Sequence, residues 1–380
     1  METGYPHIRV RGGAYERGHG YGDAARERIH RSLEAYEGVF RHYAGWDWPK
    51  VTEEARRFEA PIGEFDSRYL EELRGLADGA GVGFDDVLAL NVRTEVMFSA
   101  KAKQAAELGR RVGECSSFAA LPAATASGHT LAGQNWDWLP HSFDTVVVLE
   151  VEQDDGPSFV TVVEAGLLAK TGLNSAGLAV ATNALVTDDD LGRPGVPYHV
   201  LLRALFDCQT LRDALAALQR RPRGSSANYL LASSDGMAVD VEAAPGDYSR
   251  LFLVFPKDGL LLHTNHFVAA AFDRRDVGLW VMPDSPFRLE RLGTALAGGS
   301  DFRVEDFEAA LSDHANHPFG VCCHPDVRVH PHDQGATVAS VIVDLDTRTL
   351  WVADGQPCVT PYRELDYAGF LEAKAPAHAA

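Results

Sequence analysis

The hydrophobic pattern of this 380-residue chain changes near residue 115, and that change constrains the fold more than any other feature. Before residue 115, apolar residues recur at the spacing of amphipathic helices, predicted over residues 24–43, 69–80 and 87 to about 97. Residues 101–111 are mostly polar and are predicted to form an exposed connector. After residue 115, β-branched and aliphatic runs are separated by turn signals such as Asp-Gly, which is typical of hairpins.

The second part of the chain is predicted to be rich in strands. Predicted strands cover residues 145–151, 158–163, 177–182, 227–233, 251–255, 260–264 and 337–344, and predicted helices cover 198–208, 211–220, 285–296 and 304–311. Because helices and strands come in blocks rather than in regular βαβ alternation, the sequence favours an α+β fold with antiparallel sheets.

The composition argues against several classes of partner and location. The formal net charge is −19, which disfavours nucleic acid and anionic membranes because both require basic surfaces. The chain has no long apolar run that predicts a transmembrane helix, and its N-terminus lacks the basic and apolar regions of a secretory signal. Its 5 cysteines form a sparse, odd set, which predicts reduced thiols in a cytoplasmic protein.

One of those cysteines, Cys115, lies where the pattern changes. It begins the stretch Cys-Ser-Ser-Phe-Ala-Ala, which is typical of a strand, and a turn at residues 126–129 precedes Gly-Gln-Asn-Trp-Asp-Trp at 133–138. Asp137 is therefore expected beside Cys115, on the next strand. A lone cysteine is more often a buried structural residue than a nucleophile, so a catalytic role needs further support.

Cleavage of the Glu114–Cys115 bond would give Cys115 a free α-amine beside its thiol. The amine has a pKa of about 8 and the thiol one of about 8.5, so the amine can accept the thiol proton without a histidine. Asp137 would orient the resulting ammonium group. Alternatively, Asp137 is a carboxylate at a turn or strand end.

Two asparagines stand at the ends of predicted strands, although asparagine is disfavoured in strands. Asn183 ends Leu-Ala-Val-Ala-Thr-Asn, and Asn265 ends Leu-Leu-His-Thr-Asn. Side-chain amides can donate to the oxyanion of a tetrahedral intermediate. The alternative for each residue is a turn-forming asparagine at the strand exit.

An ordered series of short motifs runs through nearly the whole chain. It comprises Ala14-Tyr-Glu-Arg-Gly18, Gly75-Leu-Ala-Asp-Gly-Ala-Gly81, Leu90-Asn-Val-Arg-Thr-Glu95, Cys115-Ser-Ser-Phe-Ala119, Gly133-Gln-Asn-Trp-Asp137, Glu164-Ala-Gly166, Gly172-Leu-Asn-Ser-Ala-Gly-Leu178, Ser226-Ala-Asn-Tyr-Leu230, His263-Thr-Asn-His266 and Ser312-Asp-His314, followed by Pro318 and Cys322. The series resembles the isopenicillin-N acyltransferase-like family of N-terminal-nucleophile (Ntn) hydrolases and, more distantly, bile-salt hydrolases and acid ceramidase.

The resemblance implies a four-layer αββα sandwich, made as a precursor that cleaves itself between Glu114 and Cys115. Residues 1–114 would be a helical pro-segment or α-subunit, and residues 115–380 would be a β-rich catalytic subunit. The two fragments would stay associated in a single Ntn-hydrolase domain. The implied catalytic residues are Cys115 as nucleophile, Asp137 as the acid near its amine, Asn265 as oxyanion donor and Asn183 as a second active-site amide.

Three further residues, Gln134, Asn135 and Arg288, are candidates for substrate binding. Gln134 stands where the bile-salt hydrolase branch has an arginine, so the resemblance implies no ion pair at that position. Glu114 stands where the acyltransferases commonly have glycine. The charge next to the scissile carbonyl predicts slower cleavage.

A Cys/His-rich segment, Cys322-Cys-His324 followed by His330-Pro-His332, is the main competing signal. Structural zinc sites usually space their ligands by two to four residues, and adjacent cysteines fit that spacing poorly. The sequence therefore predicts no metal and no cofactor. The triplet Lys170-Thr-Gly172 matches one β-lactamase motif, but the other β-lactamase motifs do not accompany it.

We expect a self-processing N-terminal-cysteine amidohydrolase or acyltransferase. It would act on a small acylated amine, amide or thioester through a thioester acyl-enzyme, which water or an amine acceptor resolves. Two alternatives stay open: an uncleaved cysteine hydrolase with His263, His266 or His314 as base, and a metal-binding or structural domain. The sequence does not identify the acyl group or the acceptor, and it is compatible with a homo-oligomer.

Overall fold

The computed structural model of the chain describes residues 4–103 and 115–372, with side chains described for all of these except residues 101–103. Glu114 and residues 104–111 of the predicted connector lie outside these ranges. Within them, no helix combines the length and the apolar character that crossing a bilayer requires.

The first part of the chain is one strand followed by helices. Strand β1 spans His7–Gly12, and the helices are α1 (Ala14–Ala24), α2 (Arg26–Ala44), α3 (Trp48–Ala55), α4 (Glu59–Phe65), α5 (Ser67–Ala80), α6 (Phe84–Asn91) and α7 (Arg93–Lys103). The prediction of one helix over 87–97 is wrong, because the backbone leaves helical geometry at Val92, with φ −116° and ψ 16°, and separates α6 from α7. The sequence analysis did not predict β1.

The second part is rich in strands, as predicted. Its strands are β2 (Cys115–Ala120), β3 (Leu131–Trp138), β4 (Val146–Gln153), β5 (Phe159–Glu164), β6 (Thr171–Asn174), β7 (Leu178–Ala184), β8 (Ala227–Ser233), β9 (Met237–Ala243), β10 (Leu251–Val254), β11 (Leu260–His263), β12 (Ala336–Asp344), β13 (Thr349–Ala353) and β14 (Arg363–Asp366). Its helices are α8 (Tyr198–Leu205), α9 (Leu211–Gln219), α10 (Gly278–Val281), α11 (Ser285–Ala295) and α12 (Val304–Leu311).

Across the described ranges, these strands form two sheets. The first is an 8-stranded sheet in the order β1-β4-β5-β6-β7-β8-β9-β10, and the second is a 6-stranded sheet in the order β11-β2-β3-β12-β13-β14. Neighbouring strands are antiparallel, as expected, except that β1 pairs with β4 in parallel. The helical first part of the chain therefore contributes the edge strand of the first sheet.

The first sheet is buried on both faces. Along β4, Val147 and Leu149 pack in an apolar cluster with the N-terminal helices, whereas Val146 and Val148 pack in a second cluster between the two sheets. Successive side chains of a strand point to opposite faces, so a strand covered on both sides is apolar at nearly every position. This explains why the first half of β4, residues 146–149, lacks the alternation expected of a half-exposed strand.

The second sheet is likewise covered on both faces. Ala119 and Val341 face the first sheet, whereas Phe118 and Ile342 belong to a third apolar cluster with α11 and α12. In that cluster the Phe118 ring stacks on Phe307 of α12 with ring centroids 4.2 Å apart. Helices, sheet, sheet and helices are thus stacked in that order, and the predicted α+β class with a four-layer αββα sandwich is confirmed.

Helices α1 and α5 cross with their backbones in contact, because glycines leave no side chain between them. A Cβ atom at Gly18 would lie 2.0 Å from the carbonyl oxygen of Glu72, and one at Gly75 would lie 2.1 Å from that of Tyr15. No side chain fits at such distances without separating the helices. The other glycines of the contact are Gly22 and Gly79.

We expect Gly75→Ala to lower the free energy of unfolding by about 2–3 kcal/mol, because the added methyl group has to push two packed backbones apart. Gly293→Ala in α11 is the matched control, since a Cβ atom there meets nothing within 4 Å. It should raise stability by about 0.5–1 kcal/mol through helix propensity. Urea unfolding followed by circular dichroism measures both, and similar effects at the two sites would contradict the close contact.

Candidate active site

Cys115 is the first residue of β2, and its side chain is buried. Its cross-strand partner on β3 is Trp136, and both side chains belong to the apolar cluster between the sheets. The backbone N–H of Cys115 donates to Oδ1 of Asn265 at 2.6 Å. The beginning of β2 thus brings the thiol and the backbone nitrogen of Cys115 into one buried site.

Arg288, a predicted substrate-binding residue on α11, contacts this site directly. Its Nη1 atom donates to the carbonyl oxygen of Cys115 at 2.7 Å and to Oγ of Ser116 at 3.1 Å. Its Nη2 atom donates to Oδ1 of Asn265 at 3.0 Å, and its Nε atom donates to Oδ2 of Asp284 at 2.8 Å. These contacts make Arg288 a positioning residue that holds the first peptide of β2 and the Asn265 amide together.

The side-chain amide of Asn265 is oriented by its partners. Because Oδ1 accepts from the Cys115 N–H and from Arg288, the Nδ2 group points the other way and donates to the carbonyl oxygen of Ala184 at 2.9 Å. The backbone N–H of Asn265 donates to Oγ of Ser285 at 2.7 Å. Asn265 is therefore an acceptor toward Cys115 in this arrangement, and an oxyanion role would fall to Nδ2.

Asn183 lies close to β2 on the face that carries the Cys115 thiol. Ser117, two residues after Cys115 and on the same face of the strand, donates its hydroxyl to Oδ1 of Asn183 at 2.7 Å. Asn228 on β8 donates to the same oxygen at 3.1 Å. Among the described residues, Nδ2 of Asn183 has no hydrogen-bond partner. A buried donor without a partner is costly, which suits a group that binds a substrate oxygen.

Asp137 lies on β3, the strand next to Cys115. Its Oδ1 atom accepts from the hydroxyl of Thr337 at 2.5 Å, and its carbonyl oxygen lies 4.0 Å from the Cys115 sulfur. The Asp137 residue is fully buried, so its carboxylate acts on its neighbours with little screening by water.

The other two predicted substrate-binding residues, Gln134 and Asn135, hold the layers together. Oε1 of Gln134 accepts from the backbone N–H of Thr182 at 2.7 Å and so joins the two sheets. Asn135 points to the outer helices, where its Nδ2 atom donates to the carbonyl oxygens of Leu311 and Val321 at 2.8 Å each. Neither side chain is on the wall of the cavity beside the nucleophile candidate.

A mainly apolar cavity lies beside Cys115, between the N-terminal helices and the end of the sheet pair. Its walls are α2, α7, the ends of β3 and β7, the start of α8 and α10. Apolar side chains that line it include Val39, Phe40, Met97, Leu185 and Val281. The ionisable side chains on its wall, apart from the thiol, are Tyr36, Arg93, Lys170, Tyr198 and His199.

Lys170 is a site residue that the sequence analysis missed. Its ammonium group lies 4.8 Å from the ring centroid of Trp136 and 5.8 Å from that of Tyr198. Burial lowers the pKa of Lys170 to about 8, although the neighbouring Cys115 acts in the opposite direction. The Lys-Thr-Gly triplet was the only signal at this position, and it gives no reason to place the lysine beside the cysteine.

A buried ion pair between Arg93 and Glu164 forms part of the same region. Nη2 of Arg93 lies 3.2 Å from Oε2 of Glu164, and the hydroxyl of Tyr36 donates to that carboxylate at 2.9 Å. Burial alone would raise the pKa of Glu164, but Arg93 and the hydrogen bonds of the carboxylate lower it to about 2. Arg93 and Glu164 belong to motifs on which the family resemblance rests, but the sequence analysis assigned neither residue a role.

The Cys115 thiol needs a base before it can react. Burial raises its pKa to about 11, and the positive charge of Lys170 offsets only part of that rise. Because the thiolate is the nucleophilic form, a thiol with such a pKa is almost inactive at neutral pH. Any mechanism at this cysteine therefore requires a group that removes the proton.

The histidines of the alternative hypothesis make their hydrogen bonds elsewhere. His263 uses both ring nitrogens: Nε2 contacts Oε1 of Glu242 at 2.8 Å, and Nδ1 contacts the carbonyl oxygen of Thr264 at 2.7 Å. The His266 ring contacts the Ser285 hydroxyl, and the His314 ring contacts the His324 ring. The geometry thus gives no support to His263, His266 or His314 as the base.

The αββα sandwich, with a buried cysteine at the start of an internal strand, defines the class that the resemblance implied, the Ntn hydrolases. The chain belongs to the acyl-coenzyme A:6-aminopenicillanic acid acyl-transferase family, whose model matches residues 124–358. This membership confirms the expected enzyme class, acyl transfer or amide hydrolysis. Cys115 precedes the matched segment, which includes Asp137, Asn183, Asn265 and Arg288.

Several known proteins are similar to the chain. It is 26% identical over 353 residues to the acyl-coenzyme A:6-aminopenicillanic-acid-acyltransferase 40 kDa form of Emericella nidulans, covering 92% of this chain and 93% of that protein. It is 27% identical over 323 residues to an uncharacterized protein of Archaeoglobus fulgidus, covering 75% of this chain and 52% of that protein. The crystal structure of a mutant conjugated bile acid hydrolase from Clostridium perfringens superposes with a TM-score of 0.45 at 12% identity, covering 68% of this chain and 95% of that one.

We expect Lys170→Met to slow alkylation of Cys115 by iodoacetamide at pH 7, where Lys170, with a pKa of about 8, is still charged. Loss of a nearby positive charge raises the thiol pKa and lowers the thiolate fraction, by roughly threefold to tenfold. Lys170→Arg keeps the charge and should preserve the rate. The alkylation rate should rise with pH toward the thiol pKa of about 11.

Time-resolved peptide mass spectrometry measures this rate residue by residue. Cys208 serves as the internal reference, because burial and groups other than Lys170 raise its pKa to about 12. Equal alkylation of Cys115 in the wild type and in Lys170→Met would contradict the electrostatic link between the two side chains.

Proposed function

We propose that the chain cleaves itself between Glu114 and Cys115 and then acts as an N-terminal-cysteine acyltransferase or amidohydrolase. Glu114 lies outside the described residues, so the proposal rests on the geometry that begins at Cys115. The observation that carries the proposal is the position of Cys115. Its thiol lines an apolar cavity, and its backbone nitrogen is held in the same site by Asn265.

The first argument concerns the proton of the thiol. A pKa of about 11 requires a base, and the hydrogen bonds shown for the candidate histidines lead to other residues. Cleavage before Cys115 would create an amine with a pKa of about 8 on the same residue. That amine would keep the Asn265 amide oxygen as its hydrogen-bond acceptor, and Asp137 on the next strand would stabilise the ammonium form.

The second argument concerns the oxyanion. Attack by the thiolate on a carbonyl carbon forms a tetrahedral intermediate with a negative oxygen, and preorganised amide donors stabilise it. Nδ2 of Asn183 is a buried donor without a partner among the described residues, and Nδ2 of Asn265 lies at the end of β7 beside the cavity. These contacts support Asn265 as the oxyanion donor, which is the role that the resemblance implies, and they support the same role for Asn183, which the resemblance implies only as a second active-site amide.

In the proposed reaction, the Cys115 sulfur forms a bond to the acyl carbon while the bond from that carbon to the leaving amine or thiol breaks. The leaving group takes up the proton that the α-amine removed from the cysteine thiol. Water or an amine then attacks the thioester, releases the acyl group and returns a proton to the sulfur. The apolar cavity wall supports a substrate with an apolar acyl group.

We further propose that the two fragments stay associated after cleavage. β1 pairs with β4 along six residues, His7 to Gly12, and the N-terminal helices share one apolar cluster with the first sheet. Separation would expose that cluster to water, which strongly opposes it. A cytoplasmic location and small-molecule substrates remain predictions of the sequence.

Intact-mass spectrometry of the purified protein tests the self-processing step. We expect two chains, residues 1–114 and 115–380, with cysteine at the new N-terminus. Cys115→Ala should give one full-length chain, because the nucleophile for peptide-bond cleavage is missing. It should also lack amidase and thioesterase activity toward short acyl substrates.

Cys208→Ala is the matched control, since Cys208 is also buried but lies outside the cavity wall. It should be processed like the wild type. A single full-length mass for the wild type, or amidase activity that persists in Cys115→Ala, would overturn the proposal.

A further inference from the structure

Four side chains from separate segments converge near the surface on the side of the second sheet that carries α11 and α12. They are His314, Cys322, His324 and Cys358, and their ligand atoms all lie within 4.8 Å of one another. Nε2 of His324 lies 3.1 Å from Nε2 of His314, 3.6 Å from the sulfur of Cys322 and 3.4 Å from the sulfur of Cys358.

The three separations from Nε2 of His324 match those between the ligand atoms of a tetrahedral metal site. With zinc–nitrogen bonds of about 2.0–2.1 Å and zinc–sulfur bonds of about 2.3 Å, a tetrahedron places two nitrogens about 3.3 Å apart and a nitrogen and a sulfur about 3.6 Å apart. The observed distances of 3.1, 3.4 and 3.6 Å differ from these by a few tenths of an ångström. Because every other pair of these ligand atoms also lies within 4.8 Å, one ion between them is within reach of all four.

We propose that His314, Cys322, His324 and Cys358 bind one zinc ion as a structural site. Two cysteines and two histidines supply the soft sulfur and imidazole ligands that zinc prefers over the oxygen ligands of magnesium or calcium. Two thiolates neutralise the double charge of the ion. Four protein ligands complete the tetrahedron and leave no open position for a catalytic water.

The sequence analysis did not predict this cluster, because the Cys/His-rich motif contains only two of its four side chains. In the motif Cys322-Cys-His324, the first and third residues meet, whereas the Cys323 sulfur lies 4.0 Å from the carbonyl oxygen of His324. The histidines of the second half of the motif pack elsewhere: the His330 ring stacks on His42 with centroids 4.2 Å apart. The other two side chains of the cluster lie outside the motif: His314 is in the segment after α12, and Cys358 is in the segment after β13.

The zinc ion would join three segments next to the candidate active site. Cys323, between two of the ligands, receives a hydrogen bond on its carbonyl oxygen from the Thr337 backbone N–H at 3.0 Å. Its own N–H donates to the Thr337 hydroxyl at 2.9 Å, and that hydroxyl donates to Asp137. The ion would thereby fix the segment that supports the Asp137 carboxylate. The zinc proposal does not depend on self-cleavage or on acyl transfer.

Metal analysis of full-length, tag-free protein expressed in zinc-containing medium and dialysed against metal-free buffer tests this inference. Elemental mass spectrometry should find one zinc per chain. Zinc X-ray absorption should show two sulfur and two nitrogen neighbours, at about 2.3 Å and 2.0–2.1 Å.

The variants Cys322→Ala, Cys358→Ala and His314→Ala should lose the zinc during dialysis against a chelator concentration that leaves the wild type loaded. His314 is exposed, so its variant retains the fold even if a cysteine variant does not. The matched controls, Cys323→Ala and His330→Ala, lie in the same segment and should keep one zinc per chain.

Three results would overturn the zinc site. They are wild-type protein without zinc, a ligand variant that holds zinc as firmly as the wild type, and a Cys322–Cys358 disulfide in non-reduced peptides from freshly purified protein. Circular dichroism of His314→Ala separates loss of the metal from loss of the fold.

Discussion

The guanidinium group of Arg288 is the interaction on which the arrangement of the site depends. It is buried against the second sheet, where a charge without partners would cost several kcal/mol. Its hydrogen bonds reach Asp284, the N-cap residue of its own helix, the first residues of β2 and the side chain of Asn265. Because a guanidinium is planar and its donors are fixed, these acceptors cannot move independently.

That constraint determines how Asn265 faces the nucleophile candidate. With Arg288 and the Cys115 N–H both donating to Oδ1, the amide nitrogen must face the end of β7. The same amide would then accept from the α-amine, and its Nδ2 group would exchange its hydrogen bond to the Ala184 carbonyl oxygen for one to the oxyanion. One positioned asparagine thus fits two requirements of an N-terminal nucleophile, the hold on the amine and the stabilisation of the oxyanion.

Burial shifts the pKa values of two of the ionisable groups on the cavity wall, Cys115 and Lys170, in opposite directions. It raises the pKa of Cys115 to about 11 and lowers that of Lys170 to about 8, because an apolar environment disfavours either charge. The thiol of the intact chain is therefore mostly protonated at neutral pH, and the proposed self-cleavage would use its small thiolate fraction once. Cleavage would then supply the α-amine as the base for repeated acyl transfer, so the activity would appear only after processing.

The sequence predicted the elements better than the site. Hydrophobic periodicity located most helices and strands, because the buried faces of helices and sheets impose a regular spacing of apolar residues along the chain. The order of the layers, αββα, came from the family resemblance. The pattern failed at Val92, where a single non-helical residue interrupts an apolar run, and at β1, whose partner lies far along the chain.

Sequence patterns did not predict side-chain contacts between residues that are far apart in the chain. Arg288 contacts Cys115 across 173 residues, and Lys170 reaches the cavity from a loop whose Lys-Thr-Gly triplet does not predict that position. Gln134 and Asn135 are adjacent on β3, and the alternation of side chains along a strand therefore turns them toward opposite layers. For the Cys/His segment, the adjacent cysteines led to the prediction of no metal, whereas the fold brings Cys322 and His324 together with the distant residues His314 and Cys358.

The most direct measurement of the central claim is the trapping of an acyl-enzyme. The purified protein is mixed with a short-chain acyl thioester, quenched in acid within seconds and analysed by intact mass and peptide fragmentation. We expect the chain that begins at Cys115 to gain one acyl group on that cysteine as a thioester, which hydroxylamine removes. Acylation confined to another residue, or equal labelling of Cys115→Ala, would contradict Cys115 as the nucleophile.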